Sequence, residues 1–105
     1  MVADAQFRDN VLESLAVVGG ITCRSMFGGY GIFADADMFA LISGSALFFK
    51  ADDSNRSRYE DAGSARYGSM PYYRVPAKVL EDRDELVDWA RTSIAIARST
   101  PKKKR

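Results

Sequence analysis

Between residues 21 and 51 the chain is four short apolar runs, 21–27, 30–34, 38–43 and 46–51. They are separated by Gly28-Gly29, Asp35-Ala36-Asp37 and Ser43-Gly44-Ser45. The runs are rich in β-branched, aromatic and other apolar residues, and each break has the length and composition of a hairpin turn. Parallel neighbours need a crossover of a dozen or more residues, so strands joined this tightly can pair only antiparallel with the next. That pattern commits this stretch to an antiparallel meander.

Helical spacing frames it. Phe7, Val11, Leu15 and Val18 recur with helical period over residues 4–18, and Gly19-Gly20 supplies a positive-φ stop. Asp53 or Ser54 is placed to cap a short helix through Ala62, closed by Gly63. Arg66-Tyr67 and residues 71–75 add extended pieces, and prolines at both ends of the second place it near a sheet edge. Asp82, followed three residues later by Glu85, is a capping-box pattern. It opens a helix to about Arg98 with Leu86, Trp89, Ala90, Ile94 and Ala97 on one stripe. Trp89 is therefore expected to be largely buried against the sheet.

Strands in sequence flanked by helices, without βαβ alternation, predict an α+β fold. The expected form is a two-layer sandwich whose antiparallel sheet of five to six strands carries its helices on one face. Residues 1–100 read as a single domain and 101–105 as a disordered basic tail. Lys102, Lys103, Lys104 and Arg105 turn a body with 11 basic and 14 acidic side chains, a balance of −3, into a chain of net charge +1. The body is thus mildly acidic, unlike a domain built to coat nucleic acid.

Composition also removes chemistry. Histidine is absent, and with it the commonest general base and metal ligand. With Cys23 the single cysteine, no Cys/His zinc site and no internal disulfide can form. No apolar run approaches the ~20 residues of a membrane helix, and residues 1–4 lack the features of a signal peptide. The expectation is a cytoplasmic, non-enzymatic protein with no cofactor, no metal and no membrane partner.

Individual motifs carry little chemistry. Gly28-Gly29-Tyr30-Gly31 leads into a strand, whereas a phosphate cradle leads into a helix. Asp35-Ala36-Asp37 supplies far fewer oxygens than a calcium site needs. Cys23, in an apolar strand, reads as a small hydrophobe; Arg24 beside it is the one feature that would favour its thiolate. Tyr67, Tyr72 and Tyr73 lie among Arg66, Arg74 and Lys78, a mixture that suits structural packing, a protein interface or a single-stranded nucleic-acid platform. Alternation puts Tyr72 and Tyr73 on opposite faces, one packed on the helices and the other accessible.

Several segments stand in a fixed order along the chain. They are Arg24 with Met26-Phe27-Gly28-Gly29-Tyr30-Gly31, Met38-Phe39-Ala40-Leu41-Ile42, and Leu47-Phe48-Phe49-Lys50 before an acidic short helix ending at Gly63. Pro71-Tyr72-Tyr73-Arg74-Val75-Pro76 and Leu86-Val87-Asp88-Trp89-Ala90 complete the set. In order and spacing they resemble the N-terminal domain of the TfoX/Sxy family, a likeness that runs over residues 12–97. It implies a small two-layer domain with an antiparallel sheet, similar to the secretion-chaperone arrangement. It also implies a role in regulating competence (DNA-uptake) genes, with no enzymatic activity. Full-length relatives carry a second, helix-hairpin-helix-like domain, so this chain is expected to be a stand-alone N-terminal domain.

The expected function is a regulatory, protein-interaction domain, and its alternative is direct nucleic-acid binding through residues 66–78 and the basic tail. The candidate surface comprises Arg24, Lys50, Arg66, Tyr67, Tyr72, Tyr73 and Arg74. Expected partners are a protein of the transcription machinery or a second copy of the chain, with nucleic acid a weak one. The dimer is suggested by the apolar richness of residues 38–49, since a sheet covered on one side needs its other face polar or partnered.

Overall fold

Five strands, β1 (Ile21–Met26), β2 (Gly29–Ala34), β3 (Asp37–Ser43), β4 (Ala46–Lys50) and β5 (Tyr72–Arg74), lie side by side in sequence order, every pair antiparallel. They come from a computed structural model that describes residues 4–26 and 28–99. Phe27, expected to end the first strand, and the basic tail 101–105 fall outside the described residues. A single bridge between Arg66 and Tyr73 adds the beginning of a sixth strand beyond β5. The α+β class and its antiparallel sheet are those expected from the sequence.

Four helices close one face. Helix α1 (Ala5–Leu15) starts at Asp4, whose carboxylate accepts from the backbone N–H of Gln6 at 2.9 Å and Phe7 at 3.2 Å. A 3₁₀ turn over Ala16–Val18 finishes it, and Gly19 and Gly20 follow at φ of 83° and 69°. Helix α4 (Arg83–Ser99) starts at Asp82, whose carboxylate accepts from the N–H of Asp84 at 3.1 Å and Glu85 at 3.2 Å. Only half of the capping box forms, because the Asp82 N–H is taken by the Val79 carbonyl.

Helix α2 (Arg56–Asp61) departs from expectation at its start. Neither Asp53 nor Ser54 is the cap; Asn55 holds that position. The Asp52 carboxylate accepts from both the N–H and the hydroxyl of Ser54, while the Asn55 side chain accepts from the Asp52 N–H at 2.9 Å. This reciprocal turn consumes the capping groups, and the Ser54 bonds hold the Asp52 pKa below its usual value. Helix α3 (Ala77–Leu80), one turn begun at Pro76, was not expected. A proline read as the end of a strand also serves as the start of a helix.

The main core lies between the helices and one sheet face. Val11 and Leu15 of α1, Tyr59 of α2, Val79 of α3 and Leu86, Ala90 and Ile94 of α4 meet Ile32, Ile42, Leu47, Phe49 and Tyr73 from the strands. A bulge in β3 sends two consecutive residues inward: Ile32 pairs with Ala40 but Phe33 with Met38, leaving Phe39 as the extra residue. Phe39 and Ala40 are both fully buried. Trp89 corrects the sequence expectation, because it is half-buried at the core's rim.

Candidate functional site

The sheet face turned away from the helices is built by alternate residues of all five strands. Paired residues in an antiparallel ladder share a face. Arg24 is paired with Gly31, Thr22 with Phe33, Phe33 with Met38, Leu41 with Phe48, Phe48 with Arg74 and Lys50 with Tyr72. These positions define the outer face, and they set Arg24 at one side of the sheet and Lys50 and Arg74 towards the other.

At the β1 side the Arg24 guanidinium lies over the Phe33 ring, 5.0 Å from its centre. That contact places the charge on an aromatic platform instead of near Cys23. Cys23 occupies the inner side, and burial pushes its thiol pKa up, with the Arg8 charge opposing weakly. The arginine expected to activate it belongs to the other face. Between Arg24 and β3, the sulfurs of Met26 and Met38 close over Gly31, where an added Cβ would press on Met26 first and Met38 less.

At the β5 side a second apolar cluster forms on the outer face from Leu41, Phe48 and Tyr72, with Tyr67 and Met70 packed on it. The segment 65–71 folds across the sheet to bring those two residues in. Its Tyr67 N–H donates to the Tyr72 carbonyl at 2.8 Å, and Arg66 donates to the carbonyls of Met70 at 2.9 Å and Ser69 at 3.0 Å. The Tyr67 ring meets Phe48 edge-on at 5.0 Å.

This roof corrects two expectations. Tyr72 does lie opposite Tyr73, but it is not accessible: it is 5% exposed, and burial pushes its hydroxyl up to about 12. Tyr73 belongs to the main core, stacked on Tyr59 at 5.7 Å. The apolar richness of residues 38–49 is likewise absorbed locally, since Leu41 and Phe48 are buried by the chain's own segment.

The structure therefore gathers Lys50, Tyr67, Tyr72 and Arg74 at one side of the outer face and places Arg24 at the other, while Tyr73 faces away. Arg66 spends its donors on its own loop. Among the described residues, Arg24, Lys50 and Arg74 form no ion pair. What the face offers a ligand is uncompensated positive charge flanking aromatic and methionine side chains, a combination that adapts to a protein surface. Phe33, Met26 and Met38 belong to it and were missed by sequence reasoning. The register pairs Arg24 with Gly31 and leaves Phe33 diagonal to it, a relation that no local pattern in the sequence contains.

Elsewhere, an open cleft of about 340 Å³ runs between the end of α2, β5 and α3. Among the described residues it is lined mostly by small side chains and backbone, with Arg74 its one charged residue and no carboxylate. Among the described residues no group of His, Cys, Asp and Glu could hold a metal ion, and no helix is long and apolar enough to cross a membrane.

Comparison with known proteins relates the chain to a described family and a curated protein. A family model for the TfoX N-terminal domain matches residues 13–97. Protein Sxy of Escherichia coli (strain K12) is 28% identical over 95 residues, covering 81% of this chain and 44% of that protein. The chain spans less than half the length of this curated relative.

Proposed function

Because this chain belongs to the TfoX N-terminal domain family, we propose that it is a non-enzymatic, cytoplasmic regulatory domain of the competence-regulator type. It acts on transcription through a protein partner that docks an acidic surface on the outer sheet face. The observation that carries this reading is the unpaired trio Arg24, Lys50 and Arg74 around the Phe33, Tyr67 and methionine surface. Charge of this kind steers and orients a partner, and the aromatic surface beneath supplies the desolvated contact.

Charge reversal tests it. Arg24→Glu and Arg74→Glu, both at exposed positions, should together cut partner retention on an affinity column about tenfold or more and lower transcription from a competence-gene reporter. The melting temperature should fall by no more than about 8 °C, the loss of the Arg24–Phe33 contact. Retention and reporter output equal to those of the unaltered chain would remove the outer face from the mechanism. The alternative, direct nucleic-acid binding, is checked in the same preparation. Tight binding of a single-stranded oligonucleotide that survives deletion of residues 102–105, with a steep salt dependence, would replace the protein-partner reading. Burial of the Tyr72 and Tyr73 rings leaves such a platform short of stacking surfaces.

A further inference from the structure

The two edges of the sheet are built differently. Strand β5 is three residues long, preceded by Pro71, followed closely by Pro76, and flanked by the Arg66 bridge. Those are the devices by which sheets protect an edge. Strand β1 has none of them. It runs six residues, Ile21–Met26, without proline, and pairs with β2 in six consecutive steps without a bulge. Among the described residues, no backbone group of β1 bonds to anything beyond β2 and the rest of its own sheet. Its single charge, Arg24, leaves the edge's backbone groups open, because the guanidinium is drawn over Phe33 of the neighbouring strand.

We propose that β1 pairs antiparallel with β1 of a second copy of the chain, joining two five-stranded sheets into one of ten. The occupant follows from the strand's own composition. A peptide added to an edge draws its specificity from side-chain pockets, whereas β1 presents the exposed side chains of Thr22, Arg24 and Ser25. Two-fold pairing sets residues of the same face opposite one another, so only registers centred on Cys23 or on Arg24 overlap five residues of each strand. Centring on Arg24 sets two like charges directly across the axis, which disfavours the pair. Centring on Cys23 removes that clash and sets Arg24 against Thr22 of the second copy at two symmetric places. The two thiols then meet as small neutral groups, consistent with the upward push on the Cys23 pKa. This inference does not depend on what docks on the outer face.

Thr22 is the test residue, because it is exposed and its replacement leaves the core untouched. Sedimentation velocity on the full chain under reducing conditions should show a reversible dimer. Thr22→Glu creates two Glu–Arg pairs across the axis and should tighten Kd by about two- to thirty-fold, an effect that fades in high salt. Thr22→Lys should loosen it by a similar factor. A strict monomer at the highest attainable concentration would overturn the proposal and leave the edge to a strand from a different protein. So would a dimer indifferent to both charges, since its interface would lie elsewhere.

Discussion

The Arg58 guanidinium lies over the Trp89 ring at 4.8 Å from its centre, and the same ring meets Tyr59 edge-on at 5.0 Å. This stack joins α2 to α4 and finishes the rim of the core. Its aliphatic stem and charge cover an indole that the helix stripe alone leaves half-buried.

Trp89→Ala should therefore cost about 2–4 kcal/mol, somewhat below the range for a fully enclosed aromatic. Arg58→Ala should cost less, about 0.5–1 kcal/mol. The Arg58 Nη1 is buried without a hydrogen-bond partner, so deleting it also removes an unsatisfied donor. Urea denaturation measures both changes. Iodide quenching of Trp89 gives an independent reading: it should rise in Arg58→Ala. Quenching unchanged by that substitution would mean the arginine does not cover the ring.

Alkaline pH should weaken the fold through two tyrosines. Burial pushes the hydroxyls of Tyr59 and Tyr72 up from 10.0 to about 12. For Tyr59, Ser93 and the Arg58 charge pull weakly the other way. The unfolded chain loses these protons first, so between pH 10 and 12 the native state holds more protons and stability falls as pH rises, while below pH 10 neither ring contributes a slope. Each ring contributes at most about 1.4 kcal/mol per pH unit in that window. The Tyr59 hydroxyl also has no well-formed hydrogen bond. Tyr59→Phe should then be nearly neutral at pH 7 and should flatten the alkaline decline. Thermal melts across the window check both parts, and an undiminished slope in Tyr59→Phe would contradict the assignment.

Two glycines of β2 should respond differently to alanine. A methyl group on Gly29 would overlap the backbone carbonyl of Ile42, which cannot move without parting the strands. Gly29→Ala should cost about 3 kcal/mol or more. At Gly31 the obstacles are the sulfurs of Met26 and Met38, the ends of flexible side chains. Gly31→Ala should cost about 1 kcal/mol. Denaturation midpoints rank the two, and equal costs would show that the methionines are held as firmly as the backbone.

What could be read from the sequence was what local rules decide. The hairpin-length breaks left the four strands of the meander no partner but the next, and Asp82 announced α4 because a carboxylate before an apolar stripe has two free N–H groups to bind. What could not be read depends on choices made between neighbours or at a distance. Asp52 binds Ser54 while Asn55 binds back to Asp52, and that reciprocal turn takes the start of α2 from Asp53 and Ser54. The bulge at Phe39 shifts the alternation by one, invisibly to a period-of-two reading. Tyr72 is buried with Leu41 and Phe48 beneath the segment carrying Tyr67 and Met70, contacts that no pattern within residues 71–75 contains. On the outer face the basic residues are conspicuous in the sequence, whereas the Arg24–Phe33 contact, diagonal across the β1–β2 ladder, needed the strand register.

The β2–β3 turn separates backbone conformation from charge. Asp35 occupies the left-handed region at φ 56°, and its carboxylate accepts from Arg98 at 2.8 Å. Both partners of that ion pair are more than half exposed, with side-chain values of 71% for Asp35 and 52% for Arg98, so the attraction is screened and worth little. The backbone matters more, because a left-handed residue bearing a Cβ is tolerated best as Asn or Asp and costs others about 1–2 kcal/mol. Asp35→Ala should thus lose about 1 kcal/mol, Asp35→Asn close to nothing, and Arg98→Ala less than about 0.5 kcal/mol. Equilibrium unfolding of the three variants at low and high salt decides the matter. If Asp35→Asn and Arg98→Ala each lost as much as Asp35→Ala, and the loss shrank with salt, the ion pair and not the turn would be the source of the stability.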